Sequence, residues 1–201
     1  MKKIVLALLL MLFVVAGCSA NNQSAENQAN TDDNTNEQTN DQTTTTDDSK
    51  ILIAYFSRSG NTEEIANQIN ELVGGTLVKI ETVEPYPDSY SETVDIAQQE
   101  LEQNARPAIQ NLNIDMNDYD TIFIGYPIWW HDAPMAVYTF LESYDFTGKT
   151  VIPFCTSGGS DIDESLSGIE AAVSGATLLE GLTANDSSDV QSWLENIGIL
   201  Q

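Results

Sequence analysis

From residue 50 onward, apolar residues arrive in short blocks that switch between two periods. Ile51 to Phe56 is a continuous run, mostly β-branched or aromatic, of the kind that forms a buried strand. From Glu63 the pattern changes: Ile65, Ala66, Ile69, Leu72 and Val73 form one helical stripe, and Gly74-Gly75 closes it. Leu77 to Ile80 predicts a second strand. Pro85 and Pro87 then break the chain before a polar helical stretch from about Ser89 to Asn104, which Arg106-Pro107 stops. Thr121 to Gly125 predicts a third strand, and a helix follows from about Pro134 to Tyr144, with Pro tolerated in its first turn. Thr150 to Cys155 is the fourth strand, Asp161 to Ser174 a helix, Thr177 to Leu182 the fifth strand and Ser187 to Ile197 the last helix. Strands alternating with helices predict an α/β fold, a parallel sheet covered on both faces.

Ahead of this domain, at residues 50–201, lie two segments of different character. Lys2 and Lys3 precede the twelve apolar residues Ile4 to Val15, too few to span a bilayer of about 30 Å but suited to a signal-peptide core. Val15-Ala16-Gly17-Cys18 resembles a bacterial lipobox, so residues 1–17 are expected to be a lipoprotein signal peptide and Cys18 the lipidated mature N-terminus. Residues 19–49 hold no aromatic residue and no Leu, Ile, Val or Met. Such a stretch cannot offset its ordering entropy, so 18–49 is expected to be a lipidated cysteine with a disordered polar linker. The expectation is secretion across the cytoplasmic membrane, with the lipid anchor as the sole membrane contact.

Charge narrows the possible partners. Residues 50–201 carry five basic residues against 24 acidic ones, a formal balance of −19. That argues against nucleic acid or an anionic membrane surface as a partner. A docking face and adaptation to a salty or alkaline habitat both explain the excess. The expected state is a monomer.

Three segments have the composition of a binding rim. Ser57-Arg58-Ser59-Gly60-Asn61-Thr62 lies where the first strand hands over to a helix, whose first N–H groups have no internal partners and favour anions. Gly60 permits close backbone approach, and Ser57, Ser59 and Thr62 offer hydroxyl donors. A simple capped turn explains the same residues. Pro127-Ile128-Trp129-Trp130-His131 follows the third strand, and Thr156-Ser157-Gly158-Gly159 the fourth. In the order 2-1-3-4-5 those three strands are neighbours, so the loops converge on one edge, where doubly wound sheets bind ligands. Adjacent side chains of an extended loop point apart, so Trp129 and Trp130 are not both expected in the core. Other motifs fail: Gly148-Lys149-Thr150 lacks the earlier glycine of a nucleotide phosphate loop, and a single His with no Cys cluster supplies neither a zinc site nor a hydrolase triad.

Together, Tyr55 to Thr62, Gly125-Tyr126-Pro127-Ile128-Trp129-Trp130, Asp145-Phe146-Thr147-Gly148-Lys149-Thr150 and Pro153 to Ser160 resemble the bacterial flavodoxin-like proteins, nearest to the flavodoxin-like lipoproteins. The resemblance spans nearly all of residues 51–201. It implies a flavodoxin-like, doubly wound five-stranded parallel sheet in the order 2-1-3-4-5 that binds FMN non-covalently. The phosphate would lie on the first loop and the isoalloxazine at the second and third. The chain departs from many relatives at His131, where they have a small residue, usually Gly. The function implied is electron transfer between redox partners at the extracytoplasmic membrane face; an FMN-dependent quinone or other small-molecule reductase is the alternative.

Overall fold

The structure, a computed structural model, describes residues 50–201; the expected signal peptide, lipidated Cys18 and linker lie outside the described residues. The elements follow the predicted alternation: β1 (Ile51–Tyr55), α1 (Asn61–Val73), β2 (Thr76–Lys79), α2 (Tyr90–Glu102), β3 (Thr121–Pro127), α3 (Met135–Glu142), β4 (Thr150–Thr156), α4 (Asp163–Ala172), β5 (Thr177–Leu178), β6 (Leu182–Thr183) and α5 (Val190–Asn196). The sheet is parallel and runs β2-β1-β3-β4-β5, with β6 also paired to β4. This is the 2-1-3-4-5 order expected, with its fifth position divided between two short strands.

The division has a local cause. Along β4 the carbonyls of Lys149, Val151 and Cys155 accept bonds from Thr177, Leu179 and Ala184. Pro153 belongs to the same outward-facing set, and it has no N–H to donate to this ladder. The register gains one residue there, since Val151 pairs with Leu178 but Phe154 with Leu182. The outer strand therefore bulges around the proline instead of running unbroken from Thr177 to Leu182.

Side chains alternate across the sheet and feed two cores. Leu52, Ala54, Ile122, Ile124, Tyr126, Val151 and Cys155 pack beneath α3 and beside Ile169 of α4. Ile53, Tyr55, Phe123, Ile152 and Phe154 pack on the other face with Ile65 and Ile69 of α1 and with Trp193 and Leu194 of α5. Each buried Val, Leu, Ile or Phe side chain among them contributes about 1.5–3 kcal/mol. Gly125 is required by this packing, because a Cβ there would fall 2.1 Å from Cζ of Phe154. A rigid sheet thus fixes where β1, β3 and β4 end, and the candidate loops begin at those ends.

Candidate functional site

The N-terminus of α1 is open. Gly60 caps it at φ +95°, in the left-handed region, and no side chain there accepts a bond from the first turn. Ser57 does not cap the helix, because its Oγ accepts the N–H of Gly60 at 3.2 Å and closes the loop on itself. The capped turn left open by the sequence is therefore not what forms, and the first-turn donors of a 13-residue helix face outward. Glu63 and Glu64 lie in that turn, and Lys79 pairs with Glu63 at 3.0 Å.

A cavity of about 660 Å³ opens over this helix end, well within the range of small-molecule and cofactor sites. The first loop contributes Ser59 and Asn61, the second Pro127, Ile128 and Trp129, and the third Thr156, Ser157 and Gly158. The three predicted segments do meet at one rim. Glu64, Ile65, Tyr90, Asn185, Asp186 and Ser187 complete the lining and were not among the residues singled out in the sequence. Asn185 braces the rim, since its Oδ1 accepts the N–H of Ser157 at 2.8 Å and holds the third loop. Ser157 Oγ in turn accepts the N–H groups of Gly159 and Ser160.

The remaining predicted residues stand elsewhere. Thr62 is buried and its hydroxyl lies 2.9 Å from that of Thr156, tying the first loop to the third from below. Gly60 borders a separate shallow cleft along α1, and Gly159 is exposed beyond the cavity. Arg58, Trp130 and His131 line a neighbouring cavity with Ile128 and Trp129. Arg58 donates through Nη2 to the carbonyls of Pro87 (2.9 Å) and Asp88 (2.7 Å).

The second loop is not extended, and this corrects the sequence reading. Trp129 and Asp132 exchange backbone bonds of 2.8 and 3.0 Å, and Trp130 and His131 between them have φ of +51° and +66°. Two central residues at positive φ inside a two-residue hairpin are the mark of a type I′ turn, which strongly prefers Asn-Gly. The expected separation of the two indoles survives, but the turn causes it. Trp129 packs edge-on against Phe56 and Tyr86, with centroids at 5.3 and 5.1 Å. Trp130 swings out, 44 % exposed, and donates Nε1–H to the carbonyl of Val94 on α2 at 3.1 Å. His131 Nδ1 lies 2.6 Å from Glu164 Oε2, and that hydrogen bond holds the Glu164 carboxyl below the usual carboxylate range.

Burial shapes the other titratable groups. Cys155 is a free, fully buried thiol pushed up to about 11 by burial, so it is unreactive as a nucleophile. Tyr86, beneath Trp129, donates to Glu100 at 2.7 Å, and desolvation raises both groups. No Lys or Arg lines the 660 Å³ cavity, whereas Glu64 and Asp186 do. Any anion there is held by neutral donors and the helix end, against the domain's field.

A doubly wound parallel sheet with its ligand-sized cavity over the ends of β1, β3 and β4 defines a cofactor-binding α/β protein of the open-sheet type. The flavodoxin family model matches residues 50–197, and the chain belongs to that family. Among solved structures, a protein assigned as a flavoprotein from Bacteroides eggerthii is 36 % identical, with TM-score 0.68, and the match covers 74 % of this chain and 97 % of that one. A flavoprotein from Lactobacillus acidophilus, solved in complex with FMN, is 32 % identical with TM-score 0.60, covering 72 % and 98 %. No curated protein matches the chain.

Proposed function

We propose that residues 50–201 bind FMN non-covalently and carry electrons between redox partners, held at the extracytoplasmic membrane face by a lipid on Cys18. The observation that carries the first part is the 660 Å³ cavity where all three rim loops meet over an open helix N-terminus. The relative solved with FMN supports the choice of cofactor. Bound there, FMN would supply reversible one- and two-electron chemistry.

The residues present fit that group. Ser59, Asn61 and the first N–H groups of α1 would take the phosphate, with the helix end supplying the positive potential that side chains do not. Trp129 would offer an aromatic face held in place by Phe56 and Tyr86, so little side-chain entropy is lost on binding. Thr156, Ser157 and Gly158, braced by Asn185, would supply small side chains and backbone donors. The −19 field opposes further negative charge and lowers the potential at which a bound flavin accepts it.

The test is an absorption spectrum and FMN titration of the purified protein. Flavin bands on purification, or saturable quenching of added FMN fluorescence, are expected; neither appearing would overturn the cofactor assignment. The tether is tested separately: Cys18→Ser is expected to release the protein from membranes or to leave its precursor uncut. Unchanged fractionation would remove the anchor from this proposal.

A further inference from the structure

We propose that Glu100 of α2 is a positioning residue for the cofactor cavity, acting on Trp129 through Tyr86. Glu100 lines neither the 660 Å³ cavity nor the neighbouring one, which encloses about 350 Å³. Its reach is indirect. The Tyr86 hydroxyl donates to Glu100 Oε2 at 2.7 Å, and among the described residues that hydroxyl has no other partner. The Tyr86 ring stands edge-on to Trp129, with centroids at 5.1 Å and planes at 87°, and edge-on to Phe56 at 5.7 Å and 82°. Phe56 meets Trp129 in the same manner, at 5.3 Å and 88°. In such a triangle the orientation of each ring depends on the other two. Phe56 is buried in the core, whereas Tyr86 is half-buried, so Tyr86 is the member free to turn.

The space around Tyr86 makes its bond necessary. Tyr86 and Glu100 both line a third cavity, of about 410 Å³, walled by Val83, Pro85, Ile96 and Pro107. A ring beside such a space has another staggered position to fall into, and the bond to Glu100 holds it under Trp129 instead. The acid is costly where it stands. Desolvation pushes the Glu100 carboxyl above its ordinary range, only the bond from Tyr86 opposes that shift, and among the described residues no Lys or Arg pairs with it. An apolar side chain at this position would avoid the cost of a desolvated charge and would hold nothing. Perturbed acids gather at functional sites, and the polar contact of this one leads through a single ring to the aromatic wall of the 660 Å³ cavity. The effect on FMN rests on the cofactor reading above; the effect on Trp129 does not.

Two readouts on the full chain test this. Without FMN, near-UV circular dichroism reports the aromatic triangle through the band that Trp129→Phe abolishes. Glu100→Ala is expected to remove most of that band, and Glu100→Gln, whose amide oxygen still accepts the phenol, to keep it. With FMN, Glu100→Ala should weaken binding about fivefold and Tyr86→Phe by a similar factor, while the double variant loses no more, because both changes delete one bond. Glu100→Gln should stay within twofold of the parent, a rescue that a general loosening of α2 would not give. Either readout unchanged in Glu100→Ala overturns the proposal. So does Glu100→Gln failing as Glu100→Ala does, or a double variant whose losses add. If the parent binds no FMN, the cofactor reading falls and the band alone decides the positioning role.

Discussion

The hydroxyl of Thr62, in the first turn of α1, lies 2.9 Å from that of Thr156 at the last residue of β4, and both residues are buried. One bond thus sets the distance between the first and third loops, 94 positions apart in the chain. Removing one partner strands the other in an apolar setting, at a cost of about 1–3 kcal/mol, whereas replacing both can be nearly neutral. Thr62→Val and Thr156→Val are each expected to lower stability on that scale, and the double variant to recover much of the loss. In the single variants affinity should fall for FMN and riboflavin alike, because the loops move. Additive losses in urea unfolding would show that the pair is not coupled.

Backbone conformation governs the next position. His131 has φ +66°, and a non-glycine residue in the left-handed region costs about 1–2 kcal/mol. Its pair with Glu164 involves a side chain 77 % exposed, so it offsets little of this. Variants should therefore rank by tolerance of positive φ: His131→Gly close to or above the parent in stability, His131→Ala about 1–2 kcal/mol below His131→Gly, and His131→Val lowest. Thermal unfolding of the three checks the order, and an alanine variant equal to glycine would mean the turn relaxes to another conformation.

The two indoles are not equivalent, and their substitutions should separate. Trp129 lines the larger cavity and packs on Phe56 and Tyr86; Trp130 lines only the smaller cavity and reaches out to α2. Trp129→Ala should cost about 1–3 kcal/mol of FMN affinity, on the scale measured for bases stacked on aromatic side chains. It should also raise the potential for adding charge to the flavin, since an electron-rich face would be lost. Trp130→Ala should leave both quantities near the parent. Fluorescence titration and potentiometry of the pair decide, and the reverse assignment would show that the ring lies over the α2 side.

The sheet was legible in the sequence because buried strands and amphipathic stripes differ in period, and every switch but the last carries Gly or Pro. Three features were not. Pro153 sits in a run whose apolar content reads as an unbroken core strand, and only pairing shows which neighbour lacks its N–H. The turn at Trp130-His131 has neither Asn nor Gly, so nothing in composition announces positive φ. Asn185, Asp186 and Ser187 reach the cavity because the bulge ends the outer strand at Thr183, and that length depends on a contact across the sheet.

Stability should peak on the acid side of neutrality. Hydrogen bonds from Arg106, His131, Thr147 and Ser188 hold Glu142, Glu164, Asp145 and Asp186 below their ordinary range. The folded form therefore holds these groups ionised where the unfolded chain binds protons. Their contribution is fully present above the ordinary carboxylate range of roughly 4 and is lost as pH falls through the lower folded values. Glu100, raised by burial, works in the opposite sense and is relieved by acid. Between pH 7 and roughly 5 the larger effect is loss of self-repulsion, as a domain of charge −19 begins to take up protons. Urea midpoints are expected to rise from pH 8 to about 5 and to fall below about 4. A steady decline from pH 8 downward would show that the paired carboxylates outweigh the net charge.

The same charge makes an unusual demand on phosphate binding. Most anion sites weaken as salt is added, because salt screens the cations that hold the ligand. Here Glu64 and Asp186 line the cavity, no Lys or Arg does, and the domain carries −19 overall. The attraction comes from the short-range end of α1, which acts within its first turn, while the repulsion acts over the Debye length of about 10 Å at 0.1 M salt. Salt should thus screen repulsion more than attraction. FMN affinity is expected to rise several-fold between 20 mM and 500 mM NaCl, and the affinity for riboflavin, which lacks the phosphate, to change little. Ser59→Ala should cost FMN about 1–3 kcal/mol, the scale of a hydrogen bond to a charged group, and spare riboflavin. Glu64→Gln should strengthen FMN at low salt and flatten the slope. Affinity that falls with salt would mean a cation reaches the phosphate, and the identical titration of Arg58→Gln would show whether that cation is Arg58.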